Sequence, residues 1–241
     1  MSSVQSGQGP RGRLVAVVPA YNEELMIAGV LRELTPRVDQ VYVVDDGSED
    51  ETAKVAEIEG ARVLRHDKNL GIGMALQTGY KAAADDNADV LVQIDADGQH
   101  NSSHLEGLIE ELNESTDIVI GSRFLEGEPQ GYSRVRRWGI RFFSYLASAL
   151  SGKRIYDITS GYRIYRMKSL LRIPPIRSRH WAVEQTLTAI RLNMTVKEVS
   201  IPIPPRRKGS SQFRPDVALK YPLKVTLGIL RALRTRSGHL Y

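Results

Sequence analysis

The sequence predicts an α/β fold, a mostly parallel sheet with helices on both faces, and three observations predict it. Short runs that are almost wholly apolar and rich in β-branched residues recur along the first half, a helical apolar pattern follows most of them, and Asp- and Gly-containing turns close several. Apolar runs without alternation are expected of strands buried on both faces, and strand–helix alternation of parallel pairing. In such sheets ligands gather beyond the carboxyl ends of the strands, so the closing turns are the places to look for function.

The elements follow in order. Leu14–Val18 is a β-branched run closed by Pro19, and apolar Leu25, Ile27, Val30 and Leu31 predict a helix from Glu23 to Leu34. Gln40–Val44 is a second run that ends in Asp45-Asp46-Gly47-Ser48; a helix over Glu51–Glu59, closed by Gly60, comes next. Arg62–Arg65 is a third strand, and Gly71–Ala84 a helix whose Ala75, Gly79, Ala82 and Ala83 suit close packing on a sheet. Val90–Ile94, the helix His104–Leu112 and the strand Asp117–Ile120 complete the regular half. Beyond it, Tyr132–Leu150 reads as a basic turn entering an amphipathic helix, Ala182–Leu192 as a helix and Val196–Ile201 as a strand. Pro202–Pro215 is a Pro-rich basic loop, and Pro222–Arg234 a basic helix with Leu223, Leu227, Leu230 and Leu233 along one side.

Composition narrows the function classes. The 241 residues, 41% hydrophobic and 25% charged, suit one large domain, expected over residues 13–213. With no cysteine, disulfides, thiolate metal sites and thiol redox chemistry are excluded. The net charge of +5 invites an anionic partner, and it is unevenly spread: acidic residues crowd between Asp39 and Glu114, whereas Arg and Lys dominate from Arg134 onward. A cation and a sugar nucleotide suit the first half, phosphate or membrane the second. Residues 1–12 are polar and read as a flexible tail without a signal-peptide pattern; residues 214–241 read as a basic amphipathic segment suited to a membrane surface. The stretch Trp138–Leu150 is interrupted by Arg141 and is too short to span a bilayer. No recognisable nucleic-acid-binding module accompanies the basic charge, so no nucleic-acid partner is expected.

At the end of the fourth strand stand Asp95 and Asp97. In extended backbone residues i and i+2 point the same way, so both carboxylates would reach one hard cation, and Mg²⁺ or Mn²⁺ shares its shell readily with phosphates. An isolated Asp-x-Asp is otherwise an ordinary acidic turn.

Four segments supply the context: Val18-Pro19-Ala20-Tyr21-Asn22-Glu23-Glu24, Val44-Asp45-Asp46-Gly47-Ser48 with Asp50 and Thr52, Asn69-Leu70-Gly71, and Asp95-Ala96-Asp97-Gly98-Gln99-His100. In this order and spacing they resemble the nucleotide-sugar-binding half of family 2 glycosyltransferases of GT-A fold. Gly121-Ser122-Arg123, the basic segment Arg134–Arg141, Asp157-Ile158-Thr159-Ser160-Gly161-Tyr162-Arg163, Glu184-Gln185, and Arg206 with Gly209-Ser210-Ser211 narrow the likeness to the polyprenyl-phosphate glycosyltransferases, dolichyl-phosphate mannose synthases among them.

The resemblance implies roles. Pro19, Ala20, Tyr21, Glu23, Asp46, Lys68 and Asp95 would serve the nucleotide, with Tyr21 packing on the base, Asp46 hydrogen-bonding it and Asp45 holding the loop. Asp95, Asp97 and Gln99 would hold Mg²⁺ or Mn²⁺ on the donor diphosphate and relieve the leaving group's charge. Arg123, Arg136, Arg137 and Arg206 would bind the acceptor phosphate, since Arg makes bidentate phosphate contacts; the family Lys after the last Ser is replaced by Gln212. With Asp97 and Arg123, Asp157 is the third catalytic candidate: it either orients acceptor or sugar, or caps its own loop through Thr159 or Ser160. Glu184 would bind Arg163 or a sugar hydroxyl.

The activity implied is metal-dependent, inverting transfer of a hexose, mannose from GDP-mannose in first place, to dolichyl or polyprenyl phosphate. UDP-glucose or another donor, and a soluble-acceptor family 2 transferase, are the alternatives. A phosphomonoester attacks without a general base, whereas an alcohol acceptor needs one. The protein would work at the cytoplasmic face of a membrane, peripherally, with a separate membrane-anchoring subunit as a further partner.

Overall fold

The computed structural model describes residues 12–99, 101–127, 132, 134–176, 178 and 180–202, the side chains of residues 135 and 136 excepted. Residues 1–11 of the expected tail, the side chain of Arg136, Arg206, Gln212 and the segment 214–241 lie outside the described residues.

Seven strands form one sheet: β1 (Leu14–Ala20), β2 (Gln40–Asp45), β3 (Arg62–Arg65), β4 (Val90–Gln93), β5 (Ile118–Ser122), β6 (Arg163–Arg166) and β7 (Val196–Ser200). Their order is β3-β2-β1-β4-β6-β5-β7. Every neighbouring pair is parallel except those of β6, which runs antiparallel to both β4 and β5. The helices are α1 (Ile27–Leu34), α2 (Thr52–Ile58), α3 (Ile72–Asp85), α4 (Leu105–Glu110), α5 (Arg134–Ser151), α6 (Met167–Leu170) and α7 (Trp181–Arg191).

All seven residues of β1 are buried, and the pleat shares them between two cores. Leu14, Ala16, Val18 and Ala20 face Ile27 and Leu31 of α1 and Leu105 and Leu108 of α4; Val15 and Val17 face Ala75, Leu76 and Tyr80 of α3. The small residues of α3 do what their spacing predicts. Gly79 lies so close to β1 that an added Cβ would collide with the Val17 side chain.

Three local readings change. The first helix begins at Ile27 rather than Glu23, because Asn22 takes φ +54° and the Glu23 carbonyl accepts from Met26 and Ile27 in a turn. The helix placed at His104–Leu112 is shorter, Leu105–Glu110, and is entered by a 3₁₀ turn, Ser102–His104, with Asn101 Oδ1 accepting from Ser103 N at 2.8 Å. The sequence reading passed over β6 and α6; Arg-Ile-Tyr-Arg has no apolar run to announce a central strand.

The reversed strand β6 decides which loops come together. It begins where its neighbours end, so the loop before it, residues 157–162, lies at the carboxyl ends of β4 and β5. Arg163 is in register with Gln93 on one side and Ile120 on the other.

The close approach at Gly79 is testable. Gly79→Leu would force α3 off β1 and should cost ~1–3 kcal/mol, as overpacking does, read as a lower urea midpoint at unchanged slope; an unshifted midpoint would mean the helix does not rest on Val17.

Candidate active site

Three loops meet at the carboxyl ends of β1, β2 and β3. The turn after β2 is held by Asp45, whose Oδ1 accepts from Ser48 N at 3.0 Å while Arg65 Nε lies 3.2 Å from Oδ2. The turn is laced to the β1 loop: Asn22 N donates to Ser48 Oγ (2.9 Å), Glu49 N to Asn22 Oδ1 (2.9 Å) and Glu23 N to Thr52 Oγ1 (2.8 Å). Gly47, at φ +75°, faces the Lys68–Asn69 backbone so closely that no side chain would fit there. Asp46 is buried, and its carboxylate accepts from Leu70 N (2.9 Å) and Gly71 N (2.7 Å), with His66 Nδ1 at 2.7 Å. Its contacts within the chain thus anchor the loop after β3, beside Asp45, which anchors its own.

These loops enclose a cavity of about 570 Å³ lined by Tyr21, Ser48, Arg65, His66 and Lys68 among others. Tyr21 and Glu23 are half-buried and Lys68 exposed, while Pro19 and Ala20 are buried in the end of β1 beneath. A polar cavity with an aromatic wall and basic side chains suits a nucleoside and its phosphates.

Next along the sheet, the Asp95–Asp97 geometry differs from the strand end read in the sequence. β4 stops at Gln93, and residues 96–98 form a turn with Gly98 at φ +68°. The i, i+2 alternation of a strand therefore does not orient the pair; a turn does. Asp95, Asp97 and Gln99 are all half-buried, and Asp97 Oδ1 accepts from Gln99 N at 3.0 Å. The Asp95 carboxylate rests against the Cα of Gly161, where an added Cβ would collide with it. Among the described residues no group of three or more His, Cys, Asp or Glu gathers around a metal-sized space. Two half-buried carboxylates on one turn, one of them seated in a glycine cradle, fit a hard cation that completes its shell with phosphate oxygens and water.

On the far side of the loop before β6, two predicted site residues find each other. Arg123, just past β5, donates through Nε (2.5 Å) and Nη2 (2.7 Å) to the two oxygens of Asp157, through Nη2 to Thr159 Oγ1 (2.6 Å) and through Nη1 to Tyr132 Oη (3.1 Å). Asp157 is fully buried and also accepts from Arg123 N and from Thr159 N and Oγ1. Burial opposes its ionisation, but the Arg123 charge and these hydrogen bonds override it and hold the carboxyl below its ordinary value. Burial likewise opposes the Arg123 charge, and Asp157 outweighs it and raises the guanidinium further. Of the two loop-capping partners considered, Thr159 is the one found; Ser160 Oγ instead accepts from Tyr162 N at 3.3 Å.

Arg137 is half-buried on α5. The outer face of that helix carries exposed Trp138, Phe142 and Tyr145, with Trp138 and Phe142 stacked at 5.4 Å, while Phe143 and Ala147 pack inward on Val183 and Leu187. Among the described residues no helix is long and apolar enough to cross a membrane. Glu184 does not pair with Arg163; it accepts from Ser178 Oγ at 2.6 Å, and it is Gln185 and Thr186 that take Arg163 Nη1, at 3.3 and 3.0 Å.

Sequence reading missed several residues of this region. Glu198 of β7 accepts from Tyr156 N (2.8 Å) and Asp157 N (2.7 Å), pinning the backbone beneath the ion pair, and burial pushes its carboxyl up. A lone acid in Val-Lys-Glu-Val-Ser was the available signal. Gln93, inside an otherwise apolar strand, was another.

The mostly parallel sheet, its single reversed strand and the acidic turn at its carboxyl ends have the arrangement of the GT-A fold. The model of the glycosyl transferase family 2 matches residues 15–173, and the chain belongs to that family. It is 32% identical over 243 residues to undecaprenyl-phosphate mannosyltransferase of Micrococcus luteus, covering 94% of this chain and 99% of that protein. It is 32% identical over 223 residues to polyprenol monophosphomannose synthase of Mycolicibacterium smegmatis (85% and 82% covered), and 31% over 209 residues to UDP-N-acetylglucosamine–dolichyl-phosphate N-acetylglucosaminyltransferase of Methanococcus voltae (77% and 83%). Among solved structures, glucosyl-3-phosphoglycerate synthase of Mycobacterium tuberculosis with Mn²⁺, UDP-glucose and phosphoglyceric acid superposes with a TM-score of 0.72 at 23% identity, over 94% of this chain and 82% of that one, a likeness of fold.

The ion pair has a pH signature. With a folded pKa below the unfolded one, Asp157 contributes stability that is complete above the ordinary carboxylate value, ~3.9, and is lost as pH falls below it. Asp157→Asn should therefore lower stability by ~3–5 kcal/mol at pH 7, because Arg123 stays buried without its counter-charge, and should flatten the acid limb. Replacing both partners with Leu and Met should cost less than either single change. Urea melts from pH 3 to pH 7 read both effects, and an acid limb unchanged in Asp157→Asn would count against the pair.

Proposed function

We propose that this glycosyltransferase moves a hexose from a nucleoside diphosphate sugar to a polyprenyl or dolichyl phosphate, with inversion in a single displacement, and that mannose from GDP-mannose is the donor. Three observations support the acceptor. The relatives from three genera are all named for polyprenol, undecaprenyl or dolichyl phosphate chemistry, over 77 to 94% of this chain. The outer face of α5 offers exposed aromatic rings on a helix rich in arginine, which suits the headgroup region of a bilayer, where a lipid-linked acceptor is met. Most telling is the state of Asp157.

A carboxylate that is fully buried, paired to Arg123 and held in its ionised form is poorly placed to take a proton from an alcohol. A phosphomonoester near neutral pH has no such proton to lose at the attacking oxygen. The burial and pairing of Asp157 therefore favour an acceptor that arrives charged over a soluble alcohol. Asp157 would then fix Arg123, and Arg123, with Arg136, Arg137 and Arg206, would face the acceptor phosphate.

The donor is read from the cavity beside Tyr21 and from the acidic turn. Tyr21 would pack on the base, Glu23 would meet the ribose, and Lys68 and Arg65 would meet the phosphates; Asp46 holds the neighbouring loop through the amides of Leu70 and Gly71. Asp95 and Asp97, with Gln99, would hold Mg²⁺ or Mn²⁺, which when bound supplies positive charge against the departing diphosphate. The mannosyl donor rests on the names of the Micrococcus luteus and Mycolicibacterium smegmatis relatives, whereas the Methanococcus voltae relative is named for UDP-N-acetylglucosamine. The protein would sit on the cytoplasmic membrane face, alone or beside an anchoring subunit.

A donor panel of labelled GDP-mannose, UDP-glucose and UDP-N-acetylglucosamine with polyprenyl phosphate in vesicles tests donor and acceptor together. Label should enter the lipid from GDP-mannose; transfer from a UDP-sugar alone would replace the donor, and transfer to a soluble alcohol alone would overturn the acceptor. Asp97→Ala should lose transfer by at least ~100-fold while staying folded, and full wild-type activity in excess chelator would sink the metal role.

A further inference from the structure

Gln93 is fully buried, the last residue of β4 and the one polar side chain in Val-Leu-Val-Gln-Ile. An amide there costs free energy unless every polar atom is met, and a leucine would fill the same space without that cost. Each atom is met. Gln93 Oε1 accepts from the Tyr80 hydroxyl and Nε2 donates to the Gly161 carbonyl at 3.0 Å, while the Tyr165 hydroxyl, 3.3 Å from Oε1, gives its one proton to Gln185 Oε1 at 2.6 Å. Burial raises the Tyr80 phenol, so it stays protonated and acts as a donor, which fixes the amide with its nitrogen towards Gly161.

Gly161 is the residue against which the Asp95 carboxylate rests, with no room for a Cβ between them. The route is short. Tyr80 orients the Gln93 amide, the amide holds Gly161, and Gly161 forms the wall that limits where Asp95 can point.

We infer that Gln93 is a positioning residue for the Asp95 carboxylate, acting through the Gly161 carbonyl that it holds. The inference rests on the reading of Asp95 as a ligand of the donor's metal ion. It explains why a glutamine occupies a fully buried strand position two residues before the acidic turn, and why residue 161 is a glycine although its φ does not demand one.

Two variants test it. Gln93→Glu keeps an oxygen for the Tyr80 hydroxyl and removes the N–H that holds Gly161. Gly161→Ala leaves the tyrosine–amide cluster alone and pushes on Asp95 directly. Mn²⁺ binding is read by electron paramagnetic resonance with a nucleoside diphosphate present and no acceptor, and metal-free nucleoside diphosphate binding serves as the control for folding.

Mn²⁺ affinity should fall about tenfold or more in Gly161→Ala and less steeply in Gln93→Glu, as for other residues that orient metal ligands. Metal-free nucleotide binding should be unchanged, and the Mn²⁺ concentration for half-maximal transfer should rise while kcat at saturating Mn²⁺ is largely kept. Wild-type Mn²⁺ affinity in folded Gly161→Ala overturns the inference and leaves the metal reading intact. A wild-type protein that transfers sugar yet binds no Mn²⁺ beside the diphosphate overturns the metal reading, and this inference with it. Should Gln93→Glu fail to fold, Gly161→Ala decides alone, since residue 161 lies in a loop.

Discussion

Arg163 is a guanidinium sealed from water, and the oxygens it gathers decide where the loop between the two halves of the site can lie. Its Nε donates to the Ser160 carbonyl (2.8 Å), Nη2 to those of Ile158 (3.1 Å) and Ala182 (3.2 Å), and Nη1 to Gln185 and Thr186, while the Trp181 ring lies 4.8 Å from its central carbon. Burying an unsatisfied guanidinium would be prohibitive, so the loop and the first turn of α7 have to curl around it. Two of its partners belong to the loop itself. The shape of residues 157–162 is thus set from inside the core.

From that constraint the rest of the site is built. The loop presents Gly161 to Asp95 at one end and Asp157 to Arg123 at the other, so the acidic turn and the buried ion pair share one short segment. Glu198 holds the Tyr156 and Asp157 amides from below, and Gln93 holds the Gly161 carbonyl. Strand β6 makes this possible by running against its neighbours. A parallel strand in that place would deliver its preceding loop to the opposite edge of the sheet, away from both carboxylates.

How much of this was legible in the sequence depends on what the signal was made of. β1 and β2 are apolar runs with polar turns at their ends, and the chain folds them close to where they are expected. β6 was not legible, because Arg163 and Arg166 flank only two apolar residues and nothing in four letters says that the first arginine is buried. The acidic turn stood out by composition, yet its geometry was misjudged: the strand stops at Gln93, and the turn after it sets the carboxylates. Arg123 and Asp157 were each picked out, but 34 residues separate them, and their partnership is a product of topology. Polar residues inside apolar elements, Gln93 and Tyr80, carry the least signal, since each is read as a flaw in a pattern until its partners are in place.

The Arg123–Asp157 pair also bears on how an anionic acceptor would be attracted. Arg123 stays cationic but the Asp157 carboxylate offsets its field at a distance, and among the described residues its N–H groups already serve Asp157, Thr159 and Tyr132. What remains is direction rather than attraction: a guanidinium plane fixed by its neighbours, ready to place one oxygen but weak as a distant source of field. Long-range pull on a phosphate then falls to basic residues not so neutralised, and the excess of Arg and Lys from Arg134 onward is where the sequence supplies them. Steering and positioning would be divided between exposed basic residues and a buried arginine whose charge is offset by Asp157.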